Sequence, residues 1–233
     1  VNVAIMQPTY LPWIGYLAMI DRVDRFIYLD SVQFARRSWQ QRNRIRSGDG
    51  ELMLTVPVFS KGLRGQTIAQ TQVDWASGFA RKHLKSIETV YRRTPYFEQY
   101  FEPLRVKYTQ EAATLADFTT GLIEFLCGAF GIQTPCERSS GLPGAGKQAE
   151  LLASICKSVG ASQYLSAPRS RDYIEQSHAF ERAGVTVRYH EYEHPIYPQG
   201  AGPFLSHMAA IDLLFCCGGQ DGLEILRRGV RRV

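Results

Sequence analysis

Residues 1–16, VNVAIMQPTYLPWIGY, decide the fold. Val3, Ala4, Ile5 and Met6 form an apolar run of the kind buried strands use, and Pro8, with no N–H to donate, cannot continue a central ladder. The strand therefore ends at Gln7-Pro8. Thr9 to Tyr16 are rich in aromatics and prolines and lead into Leu17, Ala18, Met19 and Ile20, which suit a helix. A strand feeding a helix through a loop of large side chains is where open α/β sheets hold ligands, at the carboxyl ends of their strands. The loop is predicted to wall a site. Tyr10, Trp13 and Tyr16 are spaced three apart, and each alone would more often be packing over the first helix. Gln7 and the two prolines among them favour a site. Trp13-Ile14-Gly15-Tyr16 stands where class I nucleotidyl-transferring enzymes carry their HIGH signature, but both histidines are absent, so adenylyl transfer by this loop is not expected.

A chain of 233 residues, 45% of them hydrophobic, can bury a core without staples, as one large domain or two small ones. No apolar run has the length of a membrane span, and the start lacks the basic-then-apolar pattern of a signal peptide. A soluble, cytoplasmic protein is expected. The five cysteines, Cys127, Cys136, Cys156, Cys216 and Cys217, are odd in number and mostly lie in apolar helical segments, which fits reduced core thiols. Vicinal Cys216 and Cys217 would point in different directions on a helix, so no metal site is predicted, and no cofactor.

The net charge is +5, and its concentration matters more than its size. Arg36, Arg37, Arg42, Arg44 and Arg46 crowd one short segment, where guanidinium forks suit an anionic ligand. Arg227, Arg228, Arg231 and Arg232 read as a solvated helix end. Arg25 to Leu29 reads as a second strand closed by Asp30. Val32 to Ile45, a turn at Ser47-Gly48-Asp49-Gly50 and a strand at Leu52 to Val58 read as a hairpin. Ile68 to Val73 reads as a further strand. Phe79, His83, Ile87 and Tyr91 recur at helical spacing, and Ala112 to Phe130 is a helix ended by Gly131. After a glycine-rich linker at Gly141 to Gly146 come a helix (Gln148 to Val159), a strand (Gln163 to Leu165), a helix (Arg171 to Arg182) and a strand (Val185 to Tyr189). Met208 to Phe215 and Leu223 to Arg228 are helical. This pattern predicts an α/β fold: a mostly parallel open sheet with flanking helices, an antiparallel hairpin near the N-terminus and a helical middle segment. Gly144-Ala145-Gly146-Lys147-Gln148 lacks the full phosphate-loop pattern, since Gln148 stands where a hydroxyl is needed.

Gln7 to Tyr16, Leu29-Asp30-Ser31-Val32-Gln33-Phe34, Trp39 to Ile45 and Thr55-Val56-Pro57-Val58 together resemble the WbqC-like family. The resemblance continues through Trp75, His83, Tyr91, Pro95-Tyr96-Phe97, Tyr197-Pro198-Gln199 and Leu205 to Phe215, nearly the whole chain. It implies a single domain over 1–233 and places Gln7, Tyr10, Trp13, Gln33, Trp39, Arg42, Asn43, Arg44, Tyr197, Gln199, Ser206 and Asp212 among substrate-binding candidates. The family is known mostly from bacterial O-antigen gene clusters and has been proposed to transfer glycine onto an amino sugar.

Amide formation on a nucleotide-linked amino sugar needs a phosphate grip, a base and oxyanion donors. Arg42 and Arg44 suit a pyrophosphate, Asn43 an oxyanion or sugar hydroxyl, and Trp39 or Tyr10 a sugar face. His83 is the base candidate, although a histidine on a face with Phe79 and Ile87 is more often a satisfied core residue. Asp30 could orient it or cap its own turn. Ser206 is placed as a helix N-cap, and Asp212, among apolar neighbours, needs a partner: an arginine, or the site. His207 is not assigned a catalytic role. No cysteine falls in these motifs, which points to direct attack on an activated acyl donor. The partners expected are thus an amino sugar or other amine, and a carrier-protein thioester or charged tRNA as donor. Two other functions compete: a non-catalytic sugar-nucleotide binding module, and a nucleic-acid-binding protein using the arginines and Trp39.

Overall fold

The computed structural model describes residues 1–48, 50–200 and 202–231. Asp49 of the expected turn and Arg232 of the basic tail lie outside them. The opening run forms β1 (Asn2–Met6), and α1 (Ile14–Asp21) returns the chain to β2 (Arg25–Tyr28). Three more strands, β5 (Cys136–Arg138), β6 (Gln163–Ser166) and β7 (Thr186–Tyr189), join them in a parallel sheet of order β5-β2-β1-β6-β7. The chain therefore starts in the centre, winds outward through β2 and β5, and then returns to the other side of β1. The strand order reverses between β1 and β6.

Alternation along β1 explains why it is central. Val3 and Ile5 point into one core, with α5 (Ala149–Ser158) and α7 (Ala179–Ala183), while Ala4 points into the other, with α1. A strand buried on both faces must be apolar at every position, which is how residues 3–6 read.

Between β2 and β5 the chain inserts the hairpin of β3 (Arg42–Ser47) and β4 (Gly50–Thr55), then α2 (Phe79–Tyr91), α3 (Phe97–Thr109) and α4 (Leu115–Phe130). Thr114 opens α4 with a reciprocal cap, its hydroxyl accepting from Asp117 N at 3.1 Å while Asp117 accepts from Thr114 N at 3.3 Å. Gly131 closes it at φ 77°, a left-handed conformation that costs glycine little.

Several expectations are corrected. Ile68 to Val73 is no strand: Gln70 closes back on Thr67 in a 3₁₀ turn at Ile68–Gln70, and Val73 keeps one isolated bridge, to Val58. The helix expected over Arg171 to Arg182 splits at His178, whose φ is 52°, into α6 (Arg171–Ser177) and α7. The helix expected from Met208 begins later, as α8 (Ile211–Cys217), with Ala210 in the capping position. Ser206 therefore caps nothing. The last helix, α9 (Gly219–Arg228), starts earlier than Leu223.

Candidate functional site

The carboxyl end of β1 is held against the hairpin by the loop residues themselves. Tyr10 N donates to Trp39 O at 3.0 Å, Gln40 Nε2 to Gln7 Oε1 at 2.8 Å and Asn43 Nδ2 to Leu11 O at 2.7 Å. The segment before α8 completes the junction, with Ala209 N donating to Arg44 O at 2.9 Å and Ala210 N to Pro12 O at 2.8 Å. The three stretches rich in aromatics, arginines and glutamines thus meet at one edge of the sheet.

A cavity of ≈ 200 Å³ opens there, at the carboxyl ends of β1, β6 and β7, lined among others by Met6, Trp13, Tyr16, Ala167, His190 and Tyr192. This is the point where the strand order reverses, the position at which doubly wound sheets bind ligands. Trp13 folds its indole back over the first turn of α1, so closely that a Cβ on Gly15 would lie 2.1 Å from the ring. Gly15 makes that position of the indole possible. From there the ring meets Tyr192 edge-on at 5.4 Å, His207 at 4.9 Å and, stacked, His194 at 6.1 Å between centroids.

The histidines differ in what they have left to offer. His190 is buried and fully used: Arg22 Nη1 lies 3.2 Å from Nδ1 and Nε2 lies 3.0 Å from Gly15 O, while burial first and Arg22 second push its pKa down to about 4. A neutral ring accepting from Arg22 and donating to Gly15 satisfies both contacts. His194 has Nδ1 3.0 Å from Pro195 O, an arrangement that fixes the proton on Nδ1. Its Nε2 is buried without a hydrogen-bond partner, and burial brings its pKa down to about 4. At neutral pH that nitrogen carries an unused lone pair. His207 is exposed, on left-handed backbone at φ 61°, with Nδ1 2.9 Å from Ser206 Oγ; partial burial and the Arg44 charge lower its pKa.

Arg44 lies beside His207. Its Nη1 binds Glu51 at 2.9 Å, its Nε reaches His207 O at 3.4 Å, and its guanidinium lies 5.9 Å from the Trp39 ring centroid. Trp39 itself is exposed. Among the described residues, five buried side-chain atoms have no hydrogen-bond partner: Thr9 Oγ1, Arg42 Nε and His194 Nε2 on segments around this junction, and Tyr28 Oη and Glu137 Oε1 near the β5 edge of the sheet. Buried polar atoms normally find partners, so each of these atoms has hydrogen-bonding capacity left unused.

A larger cavity, ≈ 670 Å³, opens at the edge strand β5, lined by Tyr28, Glu124, Glu137 and Arg138 among others. Its arginine is already spent on Asp30 and Asp117. Size alone does not outweigh position at the crossover of the sheet.

Other predicted site residues are distributed more widely. Tyr10 is wholly buried; its hydroxyl meets His83 Nδ1 at 2.7 Å and hydrogen-bonds Tyr108. The other nitrogen of His83 faces the Thr55 carbonyl, and burial depresses its pKa to about 4. With both nitrogens engaged and Phe79 packed at 5.2 Å, this geometry supports the core role for His83. Asp30 does not orient it. Its carboxylate is buried and taken by Arg138 Nε at 2.5 Å, Ser139 Oγ at 3.1 Å, and Ser140 N and Oγ, both at 2.9 Å.

Asp212 ends the ambiguity over its partner with three donors: Tyr91 OH at 2.8 Å, Tyr197 OH at 2.8 Å and Gln199 Nε2 at 2.7 Å. Burial still raises its pKa. Arg46 Nη1 tightens this network through Gln199 O at 2.6 Å. Asn43 spends its amide on Leu11 O and its oxygen on Arg44 N, so it positions the loop. Gln33 bridges to Thr67 on a separate loop, where it lines a cavity with Arg36, Lys61 and Arg64. Sequence reasoning passed over Tyr192, His190 and His194. They follow β7 without a motif, and only the sheet order brings them to Trp13.

A model of the WbqC-like protein family matches residues 7–223, nearly the whole chain. A Mycobacterium tuberculosis (strain H37Rv) protein carrying the description "Uncharacterized protein Rv1507c" is 33% identical over 221 residues, which cover 94% of this chain and 95% of that one. No solved structure matches. The chain belongs to the WbqC-like protein family.

Proposed function

We propose that this WbqC-like family member is a transferase that forms an amide on a phosphate-linked amino sugar, taking a glycyl or related acyl group from an activated donor. The observation that supports this reading is the crossover cavity lined by Trp13 and Tyr192, with His194, its Nε2 unpartnered, stacked on Trp13 behind the lining and Arg44 reached from there through His207. An indole and a phenol suit the C–H face of a sugar ring, and a guanidinium suits its phosphate. In the proposed step the amino nitrogen attacks the donor's acyl carbon and a C–N bond forms. The C–S or C–O bond to the donor then breaks. The proton lost by nitrogen passes to His194 Nε2 and onward to the leaving thiolate or alkoxide. His207 covers His194, with ring centroids 4.9 Å apart, and must turn aside to admit substrate.

The test is a mass-spectrometric search for a product carrying an added glycyl mass. Amino-sugar nucleotides are incubated with a glycyl-thioester or glycyl-tRNA donor. Product is expected from the wild type and from His83→Gln, with a loss of a hundredfold or more in His194→Gln. Binding of the sugar nucleotide without turnover by any donor would favour the binding-module reading instead.

A further inference from the structure

Residues 31–73 carry seven Lys or Arg against two Asp or Glu, an excess of five that equals the net charge of the entire chain. The remainder sums to zero, so this segment carries the net positive excess of the chain. Of these cations, Arg44 is paired with Glu51 and Arg46 binds Gln199. Arg36, Arg37, Arg42, Lys61 and Arg64 make no ion pair among the described residues, and Arg42 Nε is buried without a partner. Arg36, Lys61 and Arg64 line a cavity of ≈ 480 Å³ together with Gln33 and Gln66, and among the described residues no carboxylate lines it.

The same segment exposes large flat side chains that a folded protein has reason to bury. Trp39 is 49% exposed with the Arg44 guanidinium over it, and Phe59 is 52% exposed. Cations tracking a backbone, interleaved with open aromatic faces, form the pattern by which unpaired bases are stacked and their phosphates neutralised. An acidic carrier protein would use the cations but would leave the ring faces without a partner suited to them.

We propose that the β3–β4 hairpin and the loops around Arg36 and Lys61 bind the single-stranded 3′ end of an RNA. This surface is linked to the crossover cavity through His207: Arg44 lies by the Trp39 ring and reaches His207 O, and the His207 ring packs on Trp13, which lines the cavity. An RNA end lying along it is directed toward His194. That the end is an aminoacylated one rests on the transferase reading; the binding itself does not.

The probe is a fluorescein-labelled RNA hairpin ending in single-stranded CCA, followed by anisotropy at several salt concentrations. Contacts from Arg36, Arg42, Lys61 and Arg64 would give a log–log salt slope of about −3, at about −0.7 per phosphate. Lys61→Ala and Arg64→Ala, both exposed, should each make the slope shallower by about 0.7 to 1. Trp39→Ala should weaken binding about tenfold with little change in slope. Circular dichroism on each variant checks that the fold is kept. The proposal is overturned if the hairpin fails to bind at low salt. Equal affinity of wild type and Trp39→Ala overturns it as well, as does binding of an acidic carrier protein that RNA does not compete away. Failure of RNA binding alongside glycyl transfer from a thioester removes this inference and leaves the transferase. RNA binding without transfer removes the reverse.

Discussion

Replacing His83 by Gln separates a core histidine from a base. In the folded chain its Nδ1 accepts from Tyr10 and its other nitrogen faces the Thr55 carbonyl, so the ring is neutral and its pKa lies at about 4, below the ordinary 6.5. A group whose folded pKa is depressed stabilises the fold above its unfolded pKa, and that stability is lost as pH falls from about 6.5 through about 4. At about 1.36 kcal/mol per tenfold, the stability at stake is about 3 kcal/mol. Glutamine offers the same acceptor and donor without a titrating proton. His83→Gln should therefore cost only about 1 kcal/mol at pH 7. It should also lose about 3 kcal/mol less than the wild type between pH 7 and pH 4, measured by urea unfolding at both pH values. Equal losses in the two proteins would refute the buried, neutral assignment. Intact stability with abolished transfer would return His83 to the mechanism as its base.

Gly15→Ala adds a methyl group where the Trp13 ring lies, so the indole must swing away while the helix gains about 1 kcal/mol of propensity. Thermal stability should change little and sugar-nucleotide affinity should fall severalfold by calorimetry. Asp212→Ala leaves the Tyr91 and Tyr197 hydroxyls and the Gln199 amide facing an empty space, and should destabilise the protein by about 3–5 kcal/mol in denaturant melts. Arg138→Ala leaves Asp30 buried with serine donors alone, and should cost a similar about 3–5 kcal/mol in the same assay. Cys127 and Cys156 should resist native thiol labelling, because burial raises both thiols, Cys156 to about 12.

The sheet was legible where local chemistry is unambiguous. Val3 to Met6 must be a two-sided strand, Pro8 must end it, and the periodicity of Phe79 to Tyr91 matches α2 residue for residue. It was illegible where a short side-chain contact overrode the pattern, as when Gln70 closed on Thr67, or where left-handed backbone at His178 broke an apparently continuous helix. Strand β5 has only three residues, Cys136 to Arg138, too few to show alternation. At the site, the loop after β1 and the arginine hairpin could be read because their residue types are unusual for loops. His194 could not, because nothing near it in sequence announces that Pro195 fixes its tautomer or that Trp13 lies alongside it.

Hydrogen–deuterium exchange, read by mass spectrometry with and without an amino-sugar nucleotide, tests the location of the site most directly. Slower exchange is predicted in residues 7–16, 39–46, 190–200 and 202–209, the stretches that meet around the crossover of β1 and β6. Protection confined instead to residues 120–124 and 136–142, which line the cavity at the β5 edge, would contradict it.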